Sequence, residues 1–530
     1  MSPSRRDALA QLAVLLGLPA WAIQAAESTI ADEPLDGTIA GYQLGRARGV
    51  WSAEQVVRAA LDRATTVRDH LRAIAVLAPD AIASARASDA RARAGRLRGP
   101  LDGVPLFAKS IHDLRGLPTD ASNAEWRRLF PDPVPRDAIE VAQLRAAGAV
   151  VLGKTAADDF AYGGVGLSTA TGRVRNPYDA HDARTSGGSS AGSAVSVACG
   201  VVFGALGTDD GGSNRIPAQC CGIVGMKPTF GRVGRSGVLP TWPALDTHGP
   251  LARTAEDARV LFRVLDRTDR SDPFGPPTNR PIGDSRAERL SLRGRRFGLV
   301  SAHTPRTQMT AEAQQLFDRA IGDLRAHGAV LEEVELPVTL HTFRAAFAEA
   351  AASRGDVAPD PRAPATTARA LLRYFAGRSP TPRDDFRRGY AAYRGYYDVL
   401  PADADAALAL VDSAKIESAA TASFLASRRV VVDRLAAAMR QDRVDALVYP
   451  TMPFAAFGAD GVWPDVRTPL GFGNWLGLPE VSVPAGLGAD GVPGLNLSFV
   501  GVPNTDRALL NMAVAFERAT RRFVPPPPIR

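Results

Sequence analysis

The sequence is poor in the residues that build disulfide frameworks and metal centres. Its 530 residues include three cysteines, of which Cys220 and Cys221 are adjacent, and seven histidines. An odd number of cysteines with two neighbours does not make a disulfide framework. The histidines are scattered and form no HExxH or other paired-ligand motif. We therefore expect buried free thiols and no metal site.

The chain also lacks a block of charge of one sign. Its net charge of +7 is spread over mixed arginines and aspartates. Nucleic-acid binding needs clustered positive charge, so we expect no nucleic-acid partner. Beyond the N-terminus, no segment of the sequence is long and apolar enough to span a membrane.

Residues 1–26 have the composition of an export signal. Arg5 and Arg6 precede a short run of alanines and leucines, and small residues follow at Ala25 and Ala26. Such a pattern is typical of twin-arginine signal peptides, which are removed after export. We expect a periplasmic or secreted protein with no stable membrane insertion after signal removal. The alternative is an amphipathic start to a cytoplasmic protein.

Alternating helical and strand-like patterns predict an α/β fold. The stretch GVPLFAK predicts a buried strand that ends on Lys109, and residues 138–155 predict a helix, a stop at Gly148 and a second buried strand. Residues 340–440 are helical and irregular. Three tyrosines at helical spacing in that segment, which we interpret as core packing, are Tyr390, Tyr393 and Tyr397.

Two Gly-Gly-Ser triplets end at Ser189 and Ser213, 24 residues apart. A serine nucleophile needs a base, yet residues 185–222 contain no histidine. A lysine can serve if burial keeps it neutral, because a dry environment lowers the pKa of an amine. Lys109, at the end of an apolar strand, has that context, and Ser189 offers a hydroxyl to relay the proton.

The second triplet also offers hydrogen-bond donors for a developing oxyanion. In TDDGGS, a tight turn presents the backbone N–H groups of Asp210, Gly211, Gly212 and Ser213, and the glycines leave room for a carbonyl to approach. Removing one donor of an oxyanion hole typically costs about 3–4 kcal/mol of transition-state stabilisation.

These motifs resemble the amidase signature family. The resemblance covers about residues 40–518, and its most specific elements are the 24-residue serine spacing and the GTDxGGS core. The matching stretches are GVPLFAK, GKTAADDFA, SGGSSAGSA, GTDDGGSNRIPA, CGIVGMKPTFGRV, LDTHGPLART and GLPEVSVPAG.

The resemblance implies a Ser-Ser-Lys triad. Ser213 would be the acylated nucleophile, Ser189 a relay serine after a cis peptide bond, and Lys109 the base. The oxyanion donors would be the amides of residues 210–213, and substrate contacts would lie near residues 161–164. Further residues given a role by the resemblance are Ala161 in substrate binding, Ser190 as a hydrogen-bond partner of Lys109 or Ser189, and Asp209 and Arg215 as braces of the loop.

The resemblance further implies one α/β/α domain around a mixed, twisted sheet of about eleven strands. We expect this domain to span residues 27–524, followed by a proline-rich tail at 525–530. No cofactor or metal is implied, and the partner is a small amide-type substrate. The oligomeric state is left open between monomer and homodimer.

Departures from the family pattern bear on substrate range and rate. Asp210 stands where the family usually has threonine or isoleucine, and Asn214 where it has an aliphatic residue. A carboxylate beside an oxyanion hole opposes negative charge unless it points away, which is what we expect of Asp210. We also expect a partly apolar substrate pocket, built from Phe160, Tyr162, Phe472 and Trp475.

Several other functions stay open at this point. Residues 188–192 match G-x-S-x-G, which would make Ser190 the nucleophile of an α/β-hydrolase with His248 or His327 as base. A carbamate, ester or aryl-acylamide hydrolase would use the same Ser-Ser-Lys triad. A catalytically silent binding protein would have the same fold without the activity. A further alternative is a component of an amidotransferase that acts on charged tRNA. The export signal and the lack of a glutamine near residue 247 argue against it.

Overall fold

A mixed sheet of eleven strands runs through the computed structural model, which describes residues 32–275, 290–413, 418–466 and 468–529. The predicted signal peptide, residues 1–26, lies outside the described residues. The strands are β1 (Ile74–Leu77), β2 (Pro105–Lys109), β3 (Val150–Thr155), β4 (Gly204–Asp209), β5 (Val224–Lys227), β6 (Thr247–Ala252), β7 (Arg296–Leu299), β8 (Val330–Glu333), β9 (Ala446–Pro450), β10 (Glu480–Leu487) and β11 (Pro493–Val500).

The strand order in the sheet is β1-β3-β2-β4-β6-β5-β10-β11-β9-β7-β8. β2 runs parallel to both β3 and β4, and β7 runs parallel to both β8 and β9, while the central pairings are antiparallel. The predicted α/β fold around a mixed sheet of about eleven strands is thereby confirmed.

Sixteen α-helices occur in the described ranges and cover the sheet. They are α1 (Ile39–Ala47), α2 (Ala53–Leu71), α3 (Ala81–Arg93), α4 (Ala124–Leu129), α5 (Ile139–Ala146), α6 (Ala191–Ala198), α7 (Arg215–Cys220), α8 (Ala255–Leu265), α9 (Ala311–Ala326), α10 (Phe343–Ala352), α11 (Pro364–Ala376), α12 (Pro382–Arg394), α13 (Ala404–Ser413), α14 (Ala419–Gln441), α15 (Leu470–Leu476) and α16 (Asp506–Thr520). Among those helices, none combines the length and apolarity that crossing a membrane requires.

Local sequence signals fix where several helices begin. Ser52 accepts a hydrogen bond from the amide of Gln55, whose side chain accepts one from the amide of Ser52, so a capping box starts α2. Thr254 caps α8 by accepting from the amide of Asp257. Both helices then turn an apolar face to the sheet.

The segment 340–440 forms five helices, α10 to α14. The three tyrosines of the sequence pattern are buried there, and their hydroxyls donate to backbone carbonyls: Tyr390 to Pro401, Tyr393 to Pro240 and Tyr397 to Phe160. Their burial agrees with the core interpretation. Residues 525–529 of the predicted tail form no helix or strand.

The parallel pair β2 and β4 positions the chemistry. Lys109 is the last residue of β2 and Asp209 the last of β4, and every residue of both strands is buried. Because the carboxyl ends of parallel neighbours meet at one edge of the sheet, the loops after Lys109 and Asp209 emerge side by side.

Candidate active site

The amine of Lys109 lies at the centre of a buried hydrogen-bond cluster. The side chain has no exposure to solvent. Its Nζ donates to Oγ of Ser189 at 2.7 Å and to Oγ1 of Thr208 at 2.8 Å. These partners are 80 and 99 positions away from Lys109 in the sequence, so the fold alone brings the three groups to one polar centre.

Burial lowers the pKa of Lys109 from its ordinary 10.5 to about 8. The carboxylates of Asp210, Asp246 and Asp158 act in the opposite direction, but desolvation of the ammonium form outweighs them. About half of the amines are therefore neutral near pH 8, and a neutral amine next to a hydroxyl can accept a proton from it.

Ser189 sits on a loop that is clamped by Asp158. The Gly188–Ser189 peptide bond is cis. The amide of Asp158 donates to the carbonyl of Ser189 at 3.2 Å, and its carboxylate accepts from the amides of Gly166 and Leu167. A Cβ at residue 188 would lie 2.0 Å from Oδ2 of Asp158, so only glycine fits this position.

Ser213 lies just before α7 and beside the Ser189 loop. It is 7 % exposed, and its carbonyl accepts from the amide of Ser190 at 3.1 Å. Gly211 is exposed, and a Cβ there would meet open space. The turn around Ser213 therefore faces an accessible volume, as a nucleophile requires.

The predicted oxyanion donors need a correction at Gly212. Its amide donates to Oδ1 of Asp209 at 2.8 Å, so this N–H group is already committed to the support of the loop. The amides of Asp210, Gly211 and Ser213 have no acceptor among the described residues. These three donors, rather than four, are available to a ligand.

Asp209 and Arg215 form a buried brace beneath the loop. The Arg215 guanidinium donates to both carboxylate oxygens of Asp209, at 2.9 and 2.8 Å, and to Glu480 on β10 at 2.7 Å. Asn474 donates to Asp209 as well. Arg215 lowers the pKa of Asp209 to about 2 despite burial, because the paired carboxylate is favoured over the neutral acid.

The carboxyl group of Asp210 points away from the donors, as expected. Its Oδ1 accepts from the hydroxyl of Thr241 at 2.6 Å and from the amide of Trp242 at 3.3 Å. Burial, and then the charge of Asp246, raise its pKa well above the usual range. A raised pKa disfavours the charged form of this group, which is the form that would oppose an oxyanion nearby.

Ser190 does not bond as the resemblance implied. Its hydroxyl contacts the backbone of Thr208 at 3.3 Å and Oδ1 of Asn214 at 3.1 Å, and not Lys109 or Ser189. The second partner of Lys109 is instead Thr208, which sequence reasoning missed. Its place next to the end of β4, in the same TDDGGS stretch, was the signal that could have indicated it.

Neither histidine of the α/β-hydrolase alternative bonds to Ser190. His248 is buried between Glu140, at 2.9 Å from its Nδ1, and Asp246, at 3.1 Å from its Nε2. His327 is on the surface and contacts the carbonyl of Asp323. This alternative lacks its base.

Ala161 lies in a short turn between two aromatic residues, Phe160 and Tyr162. Both Phe160 and Ala161 have positive φ, and both are buried. Tyr397 fixes the turn by donating to the carbonyl of Phe160 at 2.8 Å, and the neighbouring Tyr162 is 46 % exposed. The ring centroids of Tyr162 and Tyr397 are 5.5 Å apart.

The predicted aromatic pocket is divided between two clusters. Phe160 packs with Trp126 and Tyr393, whereas Trp475 packs with Phe347 and other rings of a second hydrophobic cluster. Phe472, likewise in the second cluster, is fully buried. Phe472 and Trp475 therefore pack in a different hydrophobic cluster from Phe160, and Trp242 packs against both clusters.

The structure also brings together three residues that sequence spacing kept apart. His112, Glu140 and His248 are buried, and their ligating atoms lie within 4.8 Å of one another. The expectation of no metal site rested on sequence spacing, which does not detect such a long-range cluster.

Comparison with known proteins agrees with this fold and geometry. The family model described as Amidase matches residues 55–510. One component of the glutamyl-tRNA(Gln) amidotransferase of Myxococcus xanthus is 34 % identical over 490 residues, covering 89 % of this chain and 95 % of that protein. Its counterpart from Roseiflexus castenholzii is 35 % identical, covering 93 % and 98 %.

Among solved structures, the native peptide amidase from Stenotrophomonas maltophilia superposes with a TM-score of 0.75 at 31 % identity, covering 92 % of this chain and 98 % of that one. With the family model matched over most of its length, the chain belongs to the amidase signature family, whose enzymes act on carbon–nitrogen bonds.

Proposed function

We propose that this protein is an exported amidase that hydrolyses a linear amide through an acyl-enzyme on Ser213. The observation that carries the proposal is the hydrogen bond from the buried Lys109 amine to Ser189, beside a turn that contains Ser213, the exposed Gly211 and free amides. A hydroxyl, a base of lowered pKa and uncommitted N–H donors are the requirements of acyl transfer.

In the proposed reaction, neutral Lys109 takes a proton from Ser189 while Ser189 takes one from Ser213. The Ser213 oxygen attacks the amide carbonyl, and the resulting oxyanion is bound by the amides of residues 210, 211 and 213. The proton then returns through Ser189 to the leaving nitrogen, and the C–N bond breaks. Water enters, loses a proton to the same relay and attacks the acyl carbon. The relay then returns the proton to the Ser213 oxygen as its ester bond breaks and the acid leaves.

A small or partly apolar substrate fits the surroundings of Ser213. Tyr162 is a large exposed aromatic residue close to the Ala161 turn, and Trp242 packs against Tyr397 at 5.0 Å next to Asp210. The similarity to a solved peptide amidase supports amides as substrates. Aryl acylamides, carbamates and esters are alternatives for the same site, and a silent binding protein is the alternative of another class.

A second candidate function is supported by the curated relatives, which are amidotransferase components. Arg5 and Arg6 argue for export of this chain instead, and we place it with the hydrolases for that reason. Fractionation of cells that express the full-length chain, with an Arg5→Lys, Arg6→Lys variant as control, tests export separately from catalysis.

The catalytic test uses the purified full-length chain with a panel of amides. The panel holds a short aliphatic amide, an anilide, a C-terminal peptide amide, an aryl carbamate, an ester and free glutamine. Ser213→Ala is compared with Ser196→Ala, a matched control because Ser196 is a buried serine whose hydroxyl donates within its own helix to the Gly192 carbonyl. Mass spectrometry of quenched reactions searches for an acyl group on the peptide that contains Ser213.

We expect turnover that Ser213→Ala abolishes and Ser196→Ala retains, with the acyl group on Ser213. Turnover that survives Ser213→Ala contradicts the assignment. If glutamine is the one panel member that is hydrolysed, with release of ammonia, the result supports the amidotransferase function. Failure of the wild-type chain to turn over or bind covalently any panel member favours the silent binding protein.

A further inference from the structure

A buried cluster behind the catalytic lysine has the composition of a metal centre. His112 follows β2 by three residues, Glu140 lies on α5 and His248 on β6. The three side chains are at most 1 % exposed. Oε2 of Glu140 lies 3.1 Å from Nε2 of His112 and 2.9 Å from Nδ1 of His248.

The outer nitrogen of each ring has a partner that accepts a hydrogen bond. Nδ1 of His112 lies 3.2 Å from the carbonyl of Lys109, which can only accept, so Nδ1 carries the proton. Nε2 of His248 lies 3.1 Å from the carboxylate of Asp246, which accepts in the same way. Metal-bound histidines are oriented by such carbonyl and carboxylate partners. Without an ion, Nδ1 of His248 is a hydrogen-bond donor to Glu140, and an ion would take the place of that proton.

Two inner atoms are left without hydrogen bonds. Nε2 of His112 is close to Glu140 but lacks hydrogen-bond geometry, and Oε1 of Glu140 has no partner among the described residues. An unsatisfied buried polar atom is costly. A cation between the three side chains would give Nε2 of His112 a partner and would neutralise the charge of Glu140.

We propose that His112, Glu140 and His248 bind one divalent transition-metal ion of the zinc type. Two imidazoles and a carboxylate are a ligand set that zinc takes, with water as the fourth ligand. Zinc bonds of about 2.0–2.2 Å set tetrahedral ligand atoms about 3.3 Å apart, so each histidine needs to separate from Glu140 by only a few tenths of an ångström.

A cavity of about 690 Å³ borders the cluster on one side. It is lined by His248 and Asp246, though not by His112 or Glu140, and extends to Arg136 and Arg373. An ion would enter the cluster from this side, past His248. The ion would tie the turn after β2 to α5 and β6, and so stabilise the segment that carries Lys109.

The experiment uses tag-free full-length protein, because a histidine tag binds metal itself. Metal content is measured after desalting, after removal with a chelator, and after reloading with zinc chloride or cobalt chloride. His112→Gln, His248→Gln and Glu140→Gln are compared with His303→Gln. His303 is the matched control: it is also fully buried, but its ring packs on Phe472 and Tyr449 and contacts no carboxylate.

We expect about one ion per chain, a melting temperature that falls on chelation and recovers with zinc, and a cobalt spectrum without thiolate charge transfer. The three cluster variants should lose at least about tenfold in zinc affinity, and His303→Gln should keep it. If a cluster variant does not fold, the chelation and reloading of the wild-type chain decide the question.

Three outcomes overturn the proposal. In the first, the wild-type chain holds no stoichiometric metal, and its melting temperature does not change with chelator or zinc. This result would mean that His248 is an imidazolium paired with Glu140 and Asp246. Another is equal metal content in the cluster variants and in wild type. The third is a cobalt–thiolate band, which would assign the ion to one of the three free cysteines. None of these readouts depends on the proposed amidase activity.

Discussion

Replacement of Lys109 by methionine should make the protein inactive and, at neutral pH, more stable. The pKa of the buried amine is about 8 against an ordinary 10.5, and this gap corresponds to about 3 kcal/mol of destabilisation at pH 7. The two hydrogen bonds of Nζ offset about 1 kcal/mol each. Methionine keeps most of the apolar stem, so we expect a gain of about 1 kcal/mol at pH 7.

The sign of this effect should reverse in alkaline solution. Between the two pKa values the unfolded chain binds more protons than the folded one, so the stability of wild type rises with pH from about 8 to about 10.5. The methionine variant lacks that rise. Relative to wild type it should lose about 2–3 kcal/mol between pH 7 and pH 10, and end as the less stable of the two.

Urea unfolding at pH 7 and pH 10 measures the difference. Lys154→Met is the matched control, because Lys154 is similarly buried, has a pKa lowered to about 8 and bonds to Thr119 and the Pro118 carbonyl instead of Ser189. The change in stability caused by Lys154→Met should show the same dependence on pH, while Lys109 is retained. A Lys109→Met protein that is less stable than wild type by one constant amount at both pH values would refute the reasoning.

Further predictions concern the surroundings of Ser213. The kcat/KM of the hydrolase should rise about tenfold per pH unit up to about pH 8 and then level off, since Lys109 must be neutral; a rate that falls over this range contradicts a lysine base. Thr208→Val removes an acceptor from the ammonium form, so the rising limb of the same profile should shift to lower pH. Arg215→Met leaves two buried carboxylates unpaired and should lower the free energy of unfolding by about 3–5 kcal/mol in urea, and a loss below about 1 kcal/mol would show that the brace is dispensable. Gly212→Ala should reduce both activity and melting temperature, because its φ is +125° and a Cβ would lie 2.7 Å from Ile216, whereas Gly211→Ala, with open space around it, should keep the melting temperature.

The sequence predicted best those features that depend on neighbours along the chain. The strand GVPLFAK ends on Lys109 as predicted, because its apolar run stops there. The cap of Thr254 on the amide of Asp257, seen in the structure, likewise depends on residues three positions apart. The eleven-stranded sheet was anticipated only through the family resemblance, since strand order depends on pairings between distant segments.

Contacts between distant elements could not be predicted from the sequence. Thr208 reaches Lys109 across 99 positions, so its place in the TDDGGS stretch indicates the site but does not specify this bond. The hydroxyl of Ser190 could not be assigned a partner before the loop was placed. His112, Glu140 and His248 come from three elements whose packing alone brings them together.

The brace beneath the nucleophile loop makes the site dependent on the end of the chain. Arg215 finds two of its partners, Asn474 and Glu480, 259 and 265 positions later. During synthesis, about half of the chain is therefore still to be made after residues 209–215 before the groups that hold their shape are present. The nucleophile turn gains its final form only when β10 has joined the sheet, so a truncated or half-made chain carries the serines and the lysine but not the arrangement that would let them act.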